Sequence, residues 1–185
     1  MGCLWSLGMQ GRSPNLAAMV RLYSAKYRKK AREELKGFRK QRFHLAVARA
    51  GLAEHEGGRR FSHQRRLKQT TLEEAREVLL SVSGRLRRTK DFDQLHESIQ
   101  HALDGIKGLG SLYFYDTALR IGANLRMLPE RVYLHRGTRA GAKALGLEWR
   151  ESSLDPECLP KELASLKPHE VEDFLCIFKD RLGNA

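Results

Sequence analysis

Two sets of residues in this 185-residue chain have types and spacing that can do chemistry. The first is Lys107-Gly108-Leu109-Gly110-Ser111, a glycine-bounded turn between two segments with helical apolar spacing. Phe92, Leu95, Ile99 and Leu103 recur at steps of three and four before it; Leu112, Tyr115, Ala118, Leu119, Gly122 and Leu125 follow the same rule after it. A helix, a glycine turn and a second helix direct free backbone N–H groups at the start of the second helix, where the macrodipole adds partial positive charge. The chemistry expected there is the gripping of an anion, phosphate above all. A plain helical corner with no ligand has the same spacing, and both readings stay open.

The second set is Asp116, His135 and Arg139, in a stretch that also carries Tyr113, Tyr115, Arg120, Tyr133 and Arg136. A carboxylate that orients an imidazole makes a general base, and Arg139 would bind an anion beside it. The bland alternative pairs Asp116 with Arg120, four residues on along one helix, and leaves His135 as a capping or core residue. No hydroxyl or thiol nucleophile accompanies them in a motif, and there is no P-loop, dinucleotide fingerprint or H-E-x-x-H. Cys3, Cys158 and Cys176 lack metal-ligand spacing, so neither a metal nor a cofactor is expected.

The turn from Ile106 to Leu112 resembles the helix-hairpin-helix motif of sequence-nonspecific DNA-binding proteins, with Lys107 where the motif usually has proline. The resemblance implies phosphate contacts from the amides of Gly108, Leu109, Gly110 and Ser111, with Lys107 supplying charge. The run from Lys107 through Leu145 is similar to a small family of uncharacterised bacterial proteins, over about His63 to Leu182, which implies no particular activity. More distantly, the hairpin and the motif that follows it resemble the core of the endonuclease III-like DNA glycosylases. In those enzymes a lysine follows the second hairpin glycine by two residues and an aspartate precedes the next helix. Leu112 and His135 hold those places here. The resemblance therefore implies a DNA-gripping scaffold without the glycosylase nucleophile.

Charge points the same way. Formal net charge is +12 and the sequence pI is about 10.0. From Arg21 to His44 ten Lys and Arg face two Glu, whereas from Glu148 onward five face nine Asp and Glu. Residues 57–69 hold Arg59, Arg60, Arg65, Arg66 and Lys68 with no acid, and Arg87 and Arg88 mark a second basic patch. Phe61, between the arginine pairs, is either a stacking residue or an anchor to the core. A polyanion is the expected partner, nucleic acid first (DNA over RNA) and an acidic protein second. No run reaches the roughly 18 apolar residues of a membrane span, so no membrane partner is expected; sparse, scattered cysteines suggest a cytoplasmic setting.

The elements that must hold these residues are helices, because no strand pattern of convincing length occurs; the fold class expected is all-α. Residues 1–13 read as a disordered extension, in which Gly2 and Ser6 formally fit a myristoylation pattern. Residues 14–56 read as a basic helical arm with weak points at Gly37 and Gly51, 57–69 as a basic loop, and 70–185 as the helical domain. Thr71 and Glu74 suggest a capping box, Asp91 an N-cap, Pro129 the start of a short helix, Thr138 the cap of a small-residue helix, and 168–182 a terminal amphipathic helix. The leading expectation is non-catalytic, sequence-independent binding of a nucleic-acid backbone. An enzyme using Asp116 and His135, and a protein-interaction module docking through its basic arm, are the alternatives.

Overall fold

Helices dominate because the apolar residues fall at three- and four-residue steps almost throughout. A computed structural model describes residues 15–182, and the extension read at 1–13 lies outside them. Among the described residues, the helices in the N-terminal half are α1 (Leu16–Lys26), α2 (Arg28–Lys40), α3 (Phe43–Gly51), α4 (Gln69–Ser81) and α5 (Ser83–Leu86). The rest are α6 (Phe92–Leu103), α7 (Ser111–Leu125), α8 (Arg136–Ala144) and α9 (Pro168–Leu182). Two-residue strands β1 (Val132–Tyr133) and β2 (Ser153–Leu154) pair antiparallel, Val132 opposite Leu154. The fold class is all-α.

The chain forms two compact units, one contiguous from Lys30 to Leu128, the other built from residues up to Lys29 together with those from Pro129 onward. The segment read as one arm is thus shared between them, with α1 in the second unit and α3 in the first.

In the 30–128 unit, Leu95, Ile99 and Leu103 of α6 pack in a core with Leu72 and Leu79 of α4 and Tyr115, Ala118 and Ile121 of α7. Ala46, Val47 and Ala50 bury α3 in the same unit. Gly51 allows α4 to approach: a Cβ there would stand 2.9 Å from the Arg76 Cα. α2 does not break at Gly37, which sits inside it. It ends near Gln41 because Asn124 Nδ2 donates to the carbonyls of Phe38 at 2.8 Å and Gln41 at 2.9 Å, satisfying groups that a longer helix would have used.

The capping box expected at Thr71 is absent; α4 begins at Gln69 behind Lys68, and no side chain caps it. Arg60 determines this start, donating to the Leu67 carbonyl at 2.8 Å and to the Gln69 side chain. The expectation at Asp91 holds, its carboxylate accepting the Gln94 amide at 2.8 Å.

In the other unit, α8 lies directly on α9. Gly141 makes this possible, since a Cβ there would fall 2.4 Å from the Leu175 carbonyl oxygen. α1 joins through Tyr23, fully buried, whose hydroxyl donates to Asp173 at 2.9 Å, and Arg28, the first residue of α2, adds a pair with Glu170 at 2.8 Å. The chain breaks at Tyr27, whose ring meets Phe178 edge-on with centroids 6.0 Å apart. No helix starts at Pro129; the chain there runs extended into β1.

Candidate nucleic-acid interface

The turn between α6 and α7 has the conformation its glycines permit. Gly105 and Gly108 stand at φ +92° and +96°, a region costly for any residue with a Cβ. Gly110 differs: at φ −136° and ψ 178° it is the N-cap of α7 in ordinary extended conformation, and an added Cβ would meet nothing within 4 Å. The first backbone bond of α7 runs from the Phe114 amide to the Gly110 carbonyl, and no side chain caps the helix. The amides of Ser111, Leu112 and Tyr113 precede that bond, as the geometry of every helix start requires. Tyr113 fixes the position of this helix start, its buried hydroxyl donating to the Gly51 carbonyl at the end of α3. Burial pushes that phenol well above its usual range, so it remains a donor.

Beside the turn lies a groove of about 690 Å³. Lys107, Gly105 and Gly108 form one wall; Arg66 and Lys68, just before α4, and Thr71 and Glu74 within it are on the other. Two features separated by some forty residues, the glycine turn and the basic 57–69 segment, therefore share one surface depression.

The same segment turns its other side toward a second hollow. Arg59, Arg60 and Arg65 line a cavity of about 420 Å³ together with Lys30, Glu34 and His55. Phe61 is 2% exposed and serves as the anchor: the Arg120 guanidinium stacks 3.7 Å from its ring centroid and the His55 ring 3.8 Å. Arg120, itself buried, reaches Glu34 and the Gln64 amide oxygen, each at 3.3 Å. Burial raises the Glu34 carboxyl above its usual range and nearby Asp116 adds to the rise, although Arg120 opposes it. Burial lowers the His55 imidazole, and Arg120, Lys30 and Arg59 lower it further.

Asp116 is where the sequence expectation needs redrawing. Its Oδ2 lies 2.7 Å from His63 Nε2, accepts the Gln64 amide at 2.7 Å and stands 3.7 Å from Arg120. The pairing with Arg120 that the spacing allowed is present, and the imidazole held by Asp116 is His63. His135 lies in the other unit, at 2.5 Å from Glu172, and caps α8 through a box in which its Nδ1 accepts the Gly137 amide and Thr138 accepts the His135 amide. Thr138 is thus the third helical residue of the box, and the cap is His135. The Arg139 guanidinium donates to the carbonyls of Leu134, Trp149 and Arg150, bracing the chain around α8.

Comparison with protein-family models, curated proteins and solved structures finds no match to this chain.

The remaining basic residues are placed as follows. Arg88 lines a third, shallow depression with Arg85, Gln94 and Glu97, while Arg87 stacks 5.8 Å from the Phe43 ring centroid. Neither lines the groove of the glycine turn. Three residues that line the cavity, Glu34, Gln41 and His55, and the Asp116 partner His63 carry no motif; the signal in the sequence was a pair of histidines flanking Phe61 within a run of arginines. No helix among the described residues is long and apolar enough to cross a membrane.

Proposed function

We propose that this protein binds the sugar–phosphate backbone of a nucleic acid, DNA in the first instance, through the groove between the glycine turn and the basic segment that opens α4. One observation carries the reading: Lys107 and Gly108 of the turn line the same groove as Arg66 and Lys68. A phosphate at the start of α7 meets uncapped amides and the positive end of a 15-residue helix, and the next phosphate along the strand meets the basic wall. The reading assigns the groove's cations, Arg66, Lys68 and Lys107, to phosphates rather than base edges, which makes the binding independent of sequence.

The test is a titration of labelled DNA over a range of salt concentrations. Each phosphate contact contributes about 0.9 to the slope of log K against log salt. Replacing Lys107 and Arg66 by Ala removes two such contacts and lowers the slope by about 2. An affinity indifferent to salt, or to this double replacement in a folded protein, ends the proposal.

A second reading rests on the 2.7 Å contact between Asp116 and His63. His63 is about half exposed and is held by a carboxylate, the arrangement of an oriented general base. An enzyme acting on a nucleic acid or nucleotide would lose turnover in His63→Ala with its substrate affinity little changed. If no phosphoester substrate is turned over by the intact protein, the pair is structural.

A further inference from the structure

The cavity on the far side of the basic segment has a lining that backbone binding does not use. Its cations are Lys30, Arg59, Arg60 and Arg65, and its acceptors are the carboxylates of Glu33, Glu34 and Glu56 and the amide of Gln41. The two groups imply different parts of one ligand. Inorganic phosphate has no use for the acceptors, and a cation or neutral sugar has no use for the four positive groups. A molecule with a phosphate at one end and hydroxyl or amino donors at the other satisfies both. The volume, about 420 Å³, is that of a small-ligand pocket rather than of a surface dimple.

Three details show that this lining is fixed in place. Arg60 is tied at its back by the Leu67 carbonyl and the Gln69 side chain, so its guanidinium is positioned before any ligand arrives. Glu34 is held from beneath by Arg120, which is itself buried against Phe61. Gln41 Oε1 is buried without a hydrogen-bond donor in the protein, although Gln41 Nε2 donates to the Gly37 carbonyl. A buried acceptor left unmatched is a cost that a donor on a ligand removes.

The cavity and the groove are joined by chain continuity: Arg65 lines the cavity and Arg66 lines the groove. We infer that the cavity receives a nucleotide bearing a phosphomonoester, and in a polymer the terminal nucleotide of a strand whose backbone lies in the groove; this polymer form rests on the function proposed above. The monoester carries up to two negative charges where an internal diester carries one, so it gains more from the four cations, which outnumber the three carboxylates of the lining. Glu34 and Gln41 accept from the sugar hydroxyl or the base amino group.

The experiment compares short single-stranded DNA oligonucleotides carrying a 5′-phosphate, a 3′-phosphate or hydroxyls at both ends, by fluorescence anisotropy at fixed salt on the full chain. Deoxyadenosine 5′-monophosphate and deoxyadenosine are compared by calorimetry alongside. One phosphorylated end is expected to bind about tenfold or more tightly than the hydroxyl form, and the preference should fade as pH falls through about 6, where the monoester gains a proton. Arg59→Ala with Arg65→Ala, both at exposed positions, should abolish that preference and leave the hydroxyl form bound nearly as before. Arg66→Ala with Lys107→Ala should weaken all three oligonucleotides alike. Equal binding of phosphorylated and unphosphorylated ends overturns the inference and leaves backbone binding standing. A cavity variant that weakens every oligonucleotide equally overturns it too, by reducing the arginines to general electrostatics. If no oligonucleotide binds but the monophosphate binds in an Arg65-dependent way, the cavity reading stands and the polymer reading falls. If neither binds, both fall.

Discussion

Replacing Gly110 by Asp separates fold from function at the glycine turn. The chain contains its own template for the result: Asp91 caps α6 at φ −146° and ψ 174°, its carboxylate accepting the Gln94 amide, and Gly110 occupies the same role for α7 at φ −136° and ψ 178°. An Asp at 110 therefore fits its backbone without strain, and its Cβ enters open space. Its carboxylate accepts the Leu112 or Tyr113 amide and sits at the positive end of the helix. Together with the loss of glycine freedom, this should stabilise the fold by about 0.5–1.5 kcal/mol, or raise Tm by roughly 2–5 °C for a chain of this size. Nucleic-acid affinity should move the other way. The carboxylate occupies the amide a phosphate would use and repels it, forfeiting a charged hydrogen bond worth about 1.5–3 kcal/mol, which is roughly ten- to hundredfold in Kd. Thermal denaturation and anisotropy on one preparation read both quantities. A stabilised protein that binds DNA as tightly as the parent would refute the hairpin as the phosphate site, and a destabilised one would refute the capping geometry.

Other perturbations have equally definite outcomes. Gly141→Ala drives a methyl group to within 2.4 Å of the Leu175 carbonyl and should force α8 off α9, at a cost of about 1–3 kcal/mol in denaturant unfolding. His135→Ala removes both the cap of α8 and the partner of nearly buried Glu172; a loss of about 3–5 kcal/mol in denaturant unfolding is expected, without the specific loss of affinity that a catalytic or binding role would bring. Burial lowers the imidazoles of His55 and His96, so the folded state takes up protons there less readily than the unfolded chain. Their contribution to stability is present above the unfolded value near 6.5 and is lost as pH falls below it. Melting curves recorded from pH 8 down to 5 should show that drop, and His55→Gln with His96→Gln should flatten it.

Where local rules governed the outcome, the sequence was readable. The Asp91 cap, the apolar steps of α6 and α7, the small-residue face of α8 and the bounds of α9 all follow from neighbours three or four residues away, which a sequence displays directly. The helix breaks were misplaced where a distant residue decided them. Asn124 stops α2 from more than eighty residues away, and Tyr27 breaks the chain to keep its ring against Phe178. The glycine expected to break the helix, Gly37, stayed helical because nothing around it demanded otherwise. The cavity was hidden for a related reason. Glu34 and His55 of the cavity and the nearby His63–Asp116 pair come from three separate parts of the chain, and only the packing of α2, the basic segment and α7 gathers them. Spacing nominated Asp116 correctly as a carboxylate facing an imidazole and chose the wrong imidazole, because separation in sequence carries no information on which of seven histidines the fold brings near.

The unit that includes α1 also imposes an order of events on synthesis. α1 leaves the ribosome well before α9, where the partners of Tyr23 and Arg28 lie, 150 and 142 residues later. The 30–128 unit is contiguous and can close as soon as its last helix emerges, whereas the other cannot close until α9 has emerged. Throughout that interval Met19, Val20 and Tyr23 have no permanent cover, on a nascent chain already tethering a finished neighbour. The contacts of Tyr23 and Arg28 with α9 are thus among the slowest to form, and a chain cut short before α9 would leave a folded 30–128 unit trailing an unpaired apolar helix, a natural target for chaperones and proteases.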